Sequence, residues 1–224
     1  TSSCTFELTL NDDDNPTITC PGNLTVDADA SCLYQIQDYT ALAIASDNCS
    51  SVSVTNNAPA VFPIGTTVVT WTATDSSNNI TTATQVVTVL DTINPTITAP
   101  LSVSVALTSS CGATGVVLGN PTTADNCSVV SVTNNAPATF LLGDTTVVWT
   151  VTDASGNTAT ANQTVTVVDN QLPTITAPSN ISVFANSSCT ATGIVLGAPM
   201  VSDNCTVVSI TNNAPLSYPL GVTT

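Results

Sequence analysis

The sequence predicts an all-β chain of tandem immunoglobulin-like antiparallel β-sandwiches in an elongated array, and three observations carry that expectation. One stretch, DNCSVVSVTNNAPATFLLGDTTVVWTVTDASGN at residues 125–157, recurs from Asp47 and again from Asp203 at a constant interval of 78 residues. A fixed period of this length marks stacked modules. The composition is 42% hydrophobic but only 4% aromatic, rich in Thr, Val, Ser, Asn and Ala, which suits half-buried pleated surfaces around small cores. Turn residues punctuate the chain about every 8 to 12 residues, and no helical period appears.

Taken in order, residues 1–12 read as the last strand of a preceding module, because CTFELTL at residues 4–10 matches ATQVVTVLD at 83–91 and ANQTVTVVD at 161–169. Residues 13–91 and 92–169 are then two complete modules and 170–224 a truncated third. The sequence thus starts and stops inside a module, as a fragment of a longer array would. Each joint is acidic and ends in proline: DDDNP at 12–16, DTINP at 91–95, DNQLP at 169–173. Proline is tolerated there because the first N–H of a strand is not needed in the ladder. Within a module, a first strand (96–107) leads through a Ser-rich turn to Cys111. A second (114–119) leads to the Asp-Asn-Cys loop, and a third (128–133) to an Asn-Asn-Ala-Pro turn. In the next strand Val147, Trp149 and Val151 face one way and Thr146, Val148, Thr150 and Thr152 the other, the period-2 signature of a half-buried strand. Trp71 and Trp149 are therefore expected in cores rather than as carbohydrate-stacking residues. A Ser-Gly-Asn turn at 155–157 starts the hairpin to the closing strand.

The chain holds no Lys, Arg or His against 15 acidic residues. No salt bridge between side chains is possible, so carboxylates are neutralised by solvent ions, backbone N–H groups or bound metal. Nucleic acid is excluded as a partner, since phosphate recognition needs Lys or Arg, and an anionic membrane surface repels the chain. No apolar run approaches the ~18 residues of a spanning helix, so membrane insertion is not expected, and any export signal or anchor is expected outside this sequence. Catalysis is not expected either. His and Lys are absent, Glu7 is the single Glu, and the Asp residues recur in turns, which an active site has no reason to do.

The cysteines add a framework. Eight Cys without His or a C-x-x-C pair point to disulfides in an oxidising, extracellular compartment rather than to zinc. Cys32 and Cys49, Cys111 and Cys127, and Cys189 and Cys205 form three pairs spaced by 17, 16 and 16 residues. Bridging inside each module uses every copy the same way. Cys4 and Cys20 either bridge across the linker or leave Cys4 seeking a partner upstream.

The pattern D-x-x-x-P, Cys-Pro, A-x-D-N, F-x-x-G-T-T-x-V-x-W-x-A-x-D-x-x-G-N, followed from Asp12 to Asn79 and again in the second module, resembles the hyalin repeat (HYR) family of extracellular immunoglobulin-like modules. Two departures stand out. The Cys-Pro of the family survives as Cys20-Pro21 but becomes Ala99-Pro100 and Ala177-Pro178, and its late cysteine is Ala83 and Ala161 here. The resemblance extends to the tandem copies of giant Bacteroidetes surface adhesins of the SprB-like, gliding-motility type. It implies adhesion at a bacterial cell surface, with neighbouring modules of the same chain as partners, and like filaments or surface polysaccharide beyond them.

Immunoglobulin-type geometry brings the linker, the Asp-Asn loop and the last hairpin to one end of a module. Asp12, Asp14, Asn15, Asp47, Asn48 and Asp75 are expected together at the first joint, and Asp91, Asn94, Asp125, Asn126 and Asp153 at the second. Calcium takes six to eight oxygen ligands and is the expected cofactor, with the first joint offering more charge. NDDDNP at 11–16 also resembles the calcium-binding linker of cadherins. The competing reading is that Asp and Asn merely shape turns. Two functions follow: a structural and adhesive stalk or filament segment whose stiff repeats extend a binding region from the cell, or a module that itself binds surface glycans.

Overall fold

A computed structural model describes residues 2–36, 39 and 42–224. The strands that carry Trp71 and Trp149 bury both tryptophans, and helices are absent among the described residues. Contact density divides the chain into two units. One is Thr1–Thr98 with Thr122–Thr133 and Thr150–Ala161, and the other is Ala99–Pro121, Asn134–Trp149 and Asn162–Thr224.

The first repeat lies wholly in the first unit and contains β1 (Thr17–Thr19), β2 (Leu24–Asp27), β3 (Leu33–Tyr34), β4 (Ile44–Ser46), β5 (Ser53–Asn56), β6 (Phe62–Pro63), β7 (Gly65–Thr74) and β8 (Ile80–Leu90). A four-stranded sheet of order β2-β8-β7-β5 faces the two-stranded pairs β1-β4 and β3-β6. Alternation along β7 sends Val69, Trp71 and Ala73 inward, and Phe62, Val87, Val89 and Tyr39 close the core around them. Tyr39 stacks on Trp71 with ring centroids 5.3 Å apart. Its phenol donates to Gln85 Oε1, and burial, the largest cause, raises its pKa and keeps that proton in place.

The second repeat comprises β9 (Thr96–Thr98), β10 (Val103–Leu107), β11 (Gly112–Thr114), β12 (Thr122–Ala124), β13 (Val129–Asn134), β14 (Thr139–Leu141), β15 (Gly143–Asp153) and β16 (Thr158–Asp169), with sheet order β10-β16-β15-β13. Val147, Trp149 and Val151 are buried as the alternation requires. The third repeat shows β17 (Thr174–Thr176), β18 (Thr190–Thr192), β19 (Met200–Ser202) and β20 (Ser217–Pro219), paired β17-β19 and β18-β20.

Four expectations are corrected. In the first two repeats the first strand is two: Pro100 lacks the N–H that a continuous ladder needs, so the chain leaves β9, crosses over and re-enters as β10. The crossover makes the sheet mixed rather than antiparallel, because β2 runs parallel to β8 with Asp27 opposite Leu90, and β10 parallel to β16 with Leu107 opposite Asp169. The predicted strand at 114–119 stops at Thr114, where Gly115 and Gly119 adopt positive φ of 66° and 84°. Residues 4–10 form no strand, since no ladder partner reaches them in this chain, and Phe6, Leu8 and Leu10 are exposed.

The crossover sets the poles of a repeat. Because β2 runs with the closing strand, Cys32 just beyond it lies at the C-terminal pole, where the Ala28 N–H donates to Leu90 O (2.7 Å). Because β4 returns antiparallel along β1, with Ser46 opposite Thr17, Cys49 lies at the N-terminal pole. Between the poles runs β8, whose 11 residues span roughly 33 Å at ~3.3 Å each. A disulfide tolerates Cα separations of only ~4.4–6.8 Å.

Candidate joint sites and inter-repeat bridges

The disulfides therefore form between repeats. Cys32 bonds Cys127 and Cys111 bonds Cys205, with Cα–Cα distances of 4.8 and 4.6 Å and sequence separations of 95 and 94. This replaces the three bridges within modules: Cys49 and Cys189 are unpaired, as are Cys4 and Cys20. Cys20 is half-buried and its thiol donates to Thr84 O (3.3 Å), so the Cys4–Cys20 bridge is absent too. The joints at 91–95 and 169–173 instead hold one staple each, from the C-terminal pole of one repeat to the Asp-Asn-Cys loop of the next.

At the first joint the linker, loop and hairpin converge as expected, and carboxylate oxygens of Asp12, Asp47 and Asp75 lie within 4.8 Å of one another. The loop builds itself: Asp47 Oδ2 accepts from the N–H groups of Cys49 and Ser50, both at 3.0 Å. These bonds, the Cys49 N–H foremost, hold the Asp47 carboxyl below its usual range. Asp75 closes its hairpin by accepting from Ser77 N, Asn79 N and Asn79 Nδ2. Asp14 is engaged by Asn48 Nδ2 at 2.7 Å. Asp14, Asn15, Thr17, Ser46, Asp47 and Asn48 line a shallow open cleft. Asp12 Oδ2 is buried without a hydrogen-bond partner. The charge of Asp12, then burial, then Asp47 and Asp14 push the Cys49 thiol above its usual pKa.

The second joint is more tightly closed. Asp91 is 6% exposed; its Oδ1 accepts from Ile93 N (3.1 Å), while Oδ2 is buried and unpartnered. Asp125 Oδ2 accepts from Cys127 N (2.9 Å) and Ser128 N (3.0 Å), and its Oδ1 is also buried and unpartnered. Asn126 donates through Nδ2 to Asp29 O in the preceding repeat (3.2 Å), leaving its own Oδ1 buried and unpartnered. Asp91 and Asp125 cluster with Cys127, whose sulfur is committed to the bridge. Asp153 stays outside this group. Burial alone would raise its pKa, but its bonds from the side chain and backbone of Asn157, and from Ser155 and Gly156, outweigh that and hold it low. Asn94 is exposed.

The sequence reading passed over Asn79, Asn157 and Asp29. Asn79 and Asn157 end the hairpin turns, and their Nδ2 groups donate to the linker carbonyls of Asp12 (3.1 Å) and Asp91 (3.0 Å). The spacing Asp75–Asn79 and Asp153–Asn157, repeated at the module period, was the available signal.

The sequence model of the HYR domain matches residues 11–89 and 90–167. The chain is similar to hyalin of Lytechinus variegatus, 38% identical over 135 residues that make up 56% of this chain and 25% of that protein. It is also similar to hyalin of Strongylocentrotus purpuratus, 37% identical over 135 residues, 56% of this chain and 11% of that protein. The chain thus spans a quarter or less of these relatives' length. Solved structures similar to it include Drosophila N-cadherin EC1-4, with TM-score 0.36, 10% identity and coverage of 69% of this chain and 50% of that one. Another is human mucin-like protocadherin EC1-2, with TM-score 0.37, 13% identity and coverage of 69% and 98%.

Proposed function

The chain belongs to the HYR domain family, and on that premise we propose that it is a tension-bearing segment of an extracellular adhesive array. Its repeats hold a binding region away from the surface that carries them. The observation that carries this reading is the overlap of the two disulfide loops. A pulling force entering at the N-terminus crosses from Cys32 to Cys127, returns along the 16 residues to Cys111, and crosses again to Cys205. Each repeat then contributes at most roughly 60 Å of covalent length, against roughly 270 Å for 78 free residues. Even complete unfolding yields little slack, which suits a stalk that must transmit load. The reading is non-enzymatic, and it is extracellular because the bridges need an oxidising compartment. The SprB-like resemblance makes a bacterial cell surface, filament assembly and gliding its finer form.

Single-molecule stretching by the termini tests it. The oxidised chain is expected to stop at roughly 240 Å and the reduced chain to reach roughly 780 Å. An oxidised chain that reaches the longer limit overturns the reading.

A divalent cation completes the joints in this proposal. Buried carboxylate oxygens without donors are costly, and no Lys, Arg or His exists to pair them. A hard cation with oxygen ligands satisfies them, and calcium fits this donor set. Asp91, Asp125 and Asn126 would hold it at the second joint, and Asp12, Asp47 and Asp75 at the first. The ion supplies positive charge that fixes linker against loop. Calcium at 100-fold its Kd is expected to stabilise by about 2.7 kcal/mol, read as a rise in Tm that chelator reverses. The double variant Asp91→Asn with Asp125→Asn should lose that rise without a lower calcium-free Tm, since it removes unpaired buried charge. An unchanged Tm on chelation removes the cation from the proposal.

A further inference from the structure

The second joint gathers sulfur as well as oxygen. Carboxylate oxygens of Asp91 and Asp125 and the Sγ of Cys127 lie within 4.8 Å of one another. Cys32 shares that place, because it is bonded to Cys127 with the two Cα atoms 4.8 Å apart. All four residues belong to the first compact unit. The two cysteines are 95 residues apart in the chain, so no C-x-x-C spacing reveals the group.

The surroundings of these four groups await a cation. Asp91 is more than nine-tenths buried, and its Oδ2 has no donor. Asp125 Oδ1 and Asn126 Oδ1 are buried and unpartnered too. Asn126 Nδ2 donates to Cys127 Sγ at 3.4 Å, so negative charge on that sulfur meets a donor already in place. The acidic group of the first joint, Asp12 with Asp47 and Asp75, holds no sulfur. At the joint at 169–173 the Asn204 amide, turned to donate, serves Asp169 Oδ1, Gln171 Oε1 and Asp203 Oδ1 at 3.3, 3.3 and 3.2 Å. The carboxylates there have a partner, although Cys111 and Cys205 bridge in the same way.

We propose that the second joint is a redox-gated zinc site: with the bridge open, Cys32, Cys127, Asp91 and Asp125 hold one zinc ion that takes over from the disulfide. Zinc in a closed site takes four ligands tetrahedrally, drawn from thiolate, imidazole and carboxylate. Four such groups meet here. A disulfide sulfur is not among them, since the metal ligand is the thiolate. While the bridge is closed the donors are all oxygen and suit a hard cation. Opening it adds two soft donors and turns the preference to zinc, so the joint is pinned in either state. Zinc binding shares its carboxylates with the calcium reading but rests on the sulfurs. An oxidised chain indifferent to chelator would remove calcium and leave zinc standing.

Opening needs a dithiol reductant, and both cysteines are half-buried, within reach of a small one. One reductant thiolate attacks a sulfur of the Cys32–Cys127 bond, forming a mixed disulfide and releasing the other cysteine. The second reductant thiolate attacks the mixed disulfide, releasing the second cysteine, and the reductant leaves as a cyclic disulfide. Its two thiol protons pass to the two protein thiolates. Zinc then displaces both protons to solvent as two Zn–S bonds form.

Zinc, and cobalt(II) as its coloured counterpart, are titrated into the 224-residue chain with its four unpaired cysteines changed to Ser. The chain is used oxidised, and again after reduction by a dithiol that is then removed under argon. The reduced chain is expected to bind one zinc at least ~100-fold more tightly than the oxidised chain, since each of two added ligands outweighs the ~10-fold minimum of an outer-shell partner. Cobalt should show a thiolate charge-transfer band. Cys32→Ser with Cys127→Ser should abolish the band, and Cys111→Ser with Cys205→Ser should keep it. Asp91→Asn with Asp125→Asn should weaken zinc by at least ~100-fold on the same count of two ligands. Fluorescence of the buried Trp71 and Trp149 reports that each variant is folded. Three results would each overturn the inference: a reduced chain that binds zinc no better than the oxidised one, a band that survives the loss of Cys32 and Cys127, or zinc affinity unchanged by the two Asn substitutions.

Discussion

Cys127→Ser is expected to lower the stability of the second joint by about 4 to 5 kcal/mol, the value the chain-entropy model assigns to opening a loop near 100 residues. The Cys32–Cys127 loop closes over 95 residues and encloses most of the first repeat, so its release enlarges the unfolded ensemble of that whole core. The variant strands Cys32 as a thiol, and the double variant Cys32→Ser with Cys127→Ser removes that complication. Urea unfolding supplies the measurement, with Cys49→Ser as reference because that cysteine is unbridged and exposed. Equal midpoints for Cys127→Ser and Cys49→Ser would show that the staple contributes nothing. Native bridge mapping should return Cys32–Cys127 and Cys111–Cys205.

Gln163→Leu is expected to cost about 3 to 5 kcal/mol, because each buried polar group left unsatisfied costs about 1–3 kcal/mol. Gln163 is 1% exposed. It accepts from Trp149 Nε1 (3.0 Å) and donates to Leu101 O and Leu118 O (both 2.8 Å). Its side chain thus ties the central tryptophan to two connecting segments, and leucine would strand one donor and two acceptors. The equivalent Gln85 donates to Gly22 O (2.7 Å) and accepts from Tyr39, while Trp71 Nε1 is buried without a partner. Gln85→Leu strands fewer groups and should cost less. Unfolding followed by tryptophan fluorescence in a Trp71→Phe background isolates the second repeat, and equal costs for the two glutamines would refute the assignment.

Much of this molecule was legible in one dimension. The 78-residue interval matched the strands of the first repeat to those of the second, and their four-stranded sheets share one order because matching stretches bury matching faces. Alternation placed Val147, Trp149 and Val151 inside because successive strand side chains must point to opposite faces. The convergence of Asp12, Asp47 and Asp75 followed from the end of a sandwich to which linker, loop and hairpin return. Their relative merit did not. The first joint has more acid, but the second has more orphaned oxygens at Asp91, Asp125 and Asn126, and burial is a property of packing that a charge count omits.

The cysteine pairing lay wholly outside that record. Spacings of 16 and 17 measure distance along the chain and make local bridges the economical choice, yet they carry no information about which pole a turn occupies. Pro100 and its counterpart Pro21 end the first ladder, and β2 and β10 then run parallel to the closing strands. That crossover carries Cys32 a full strand length away from its sequence neighbour Cys49. Strand direction after a proline depends on which sheet edge is open to receive the chain, and only the folded sheet has an edge.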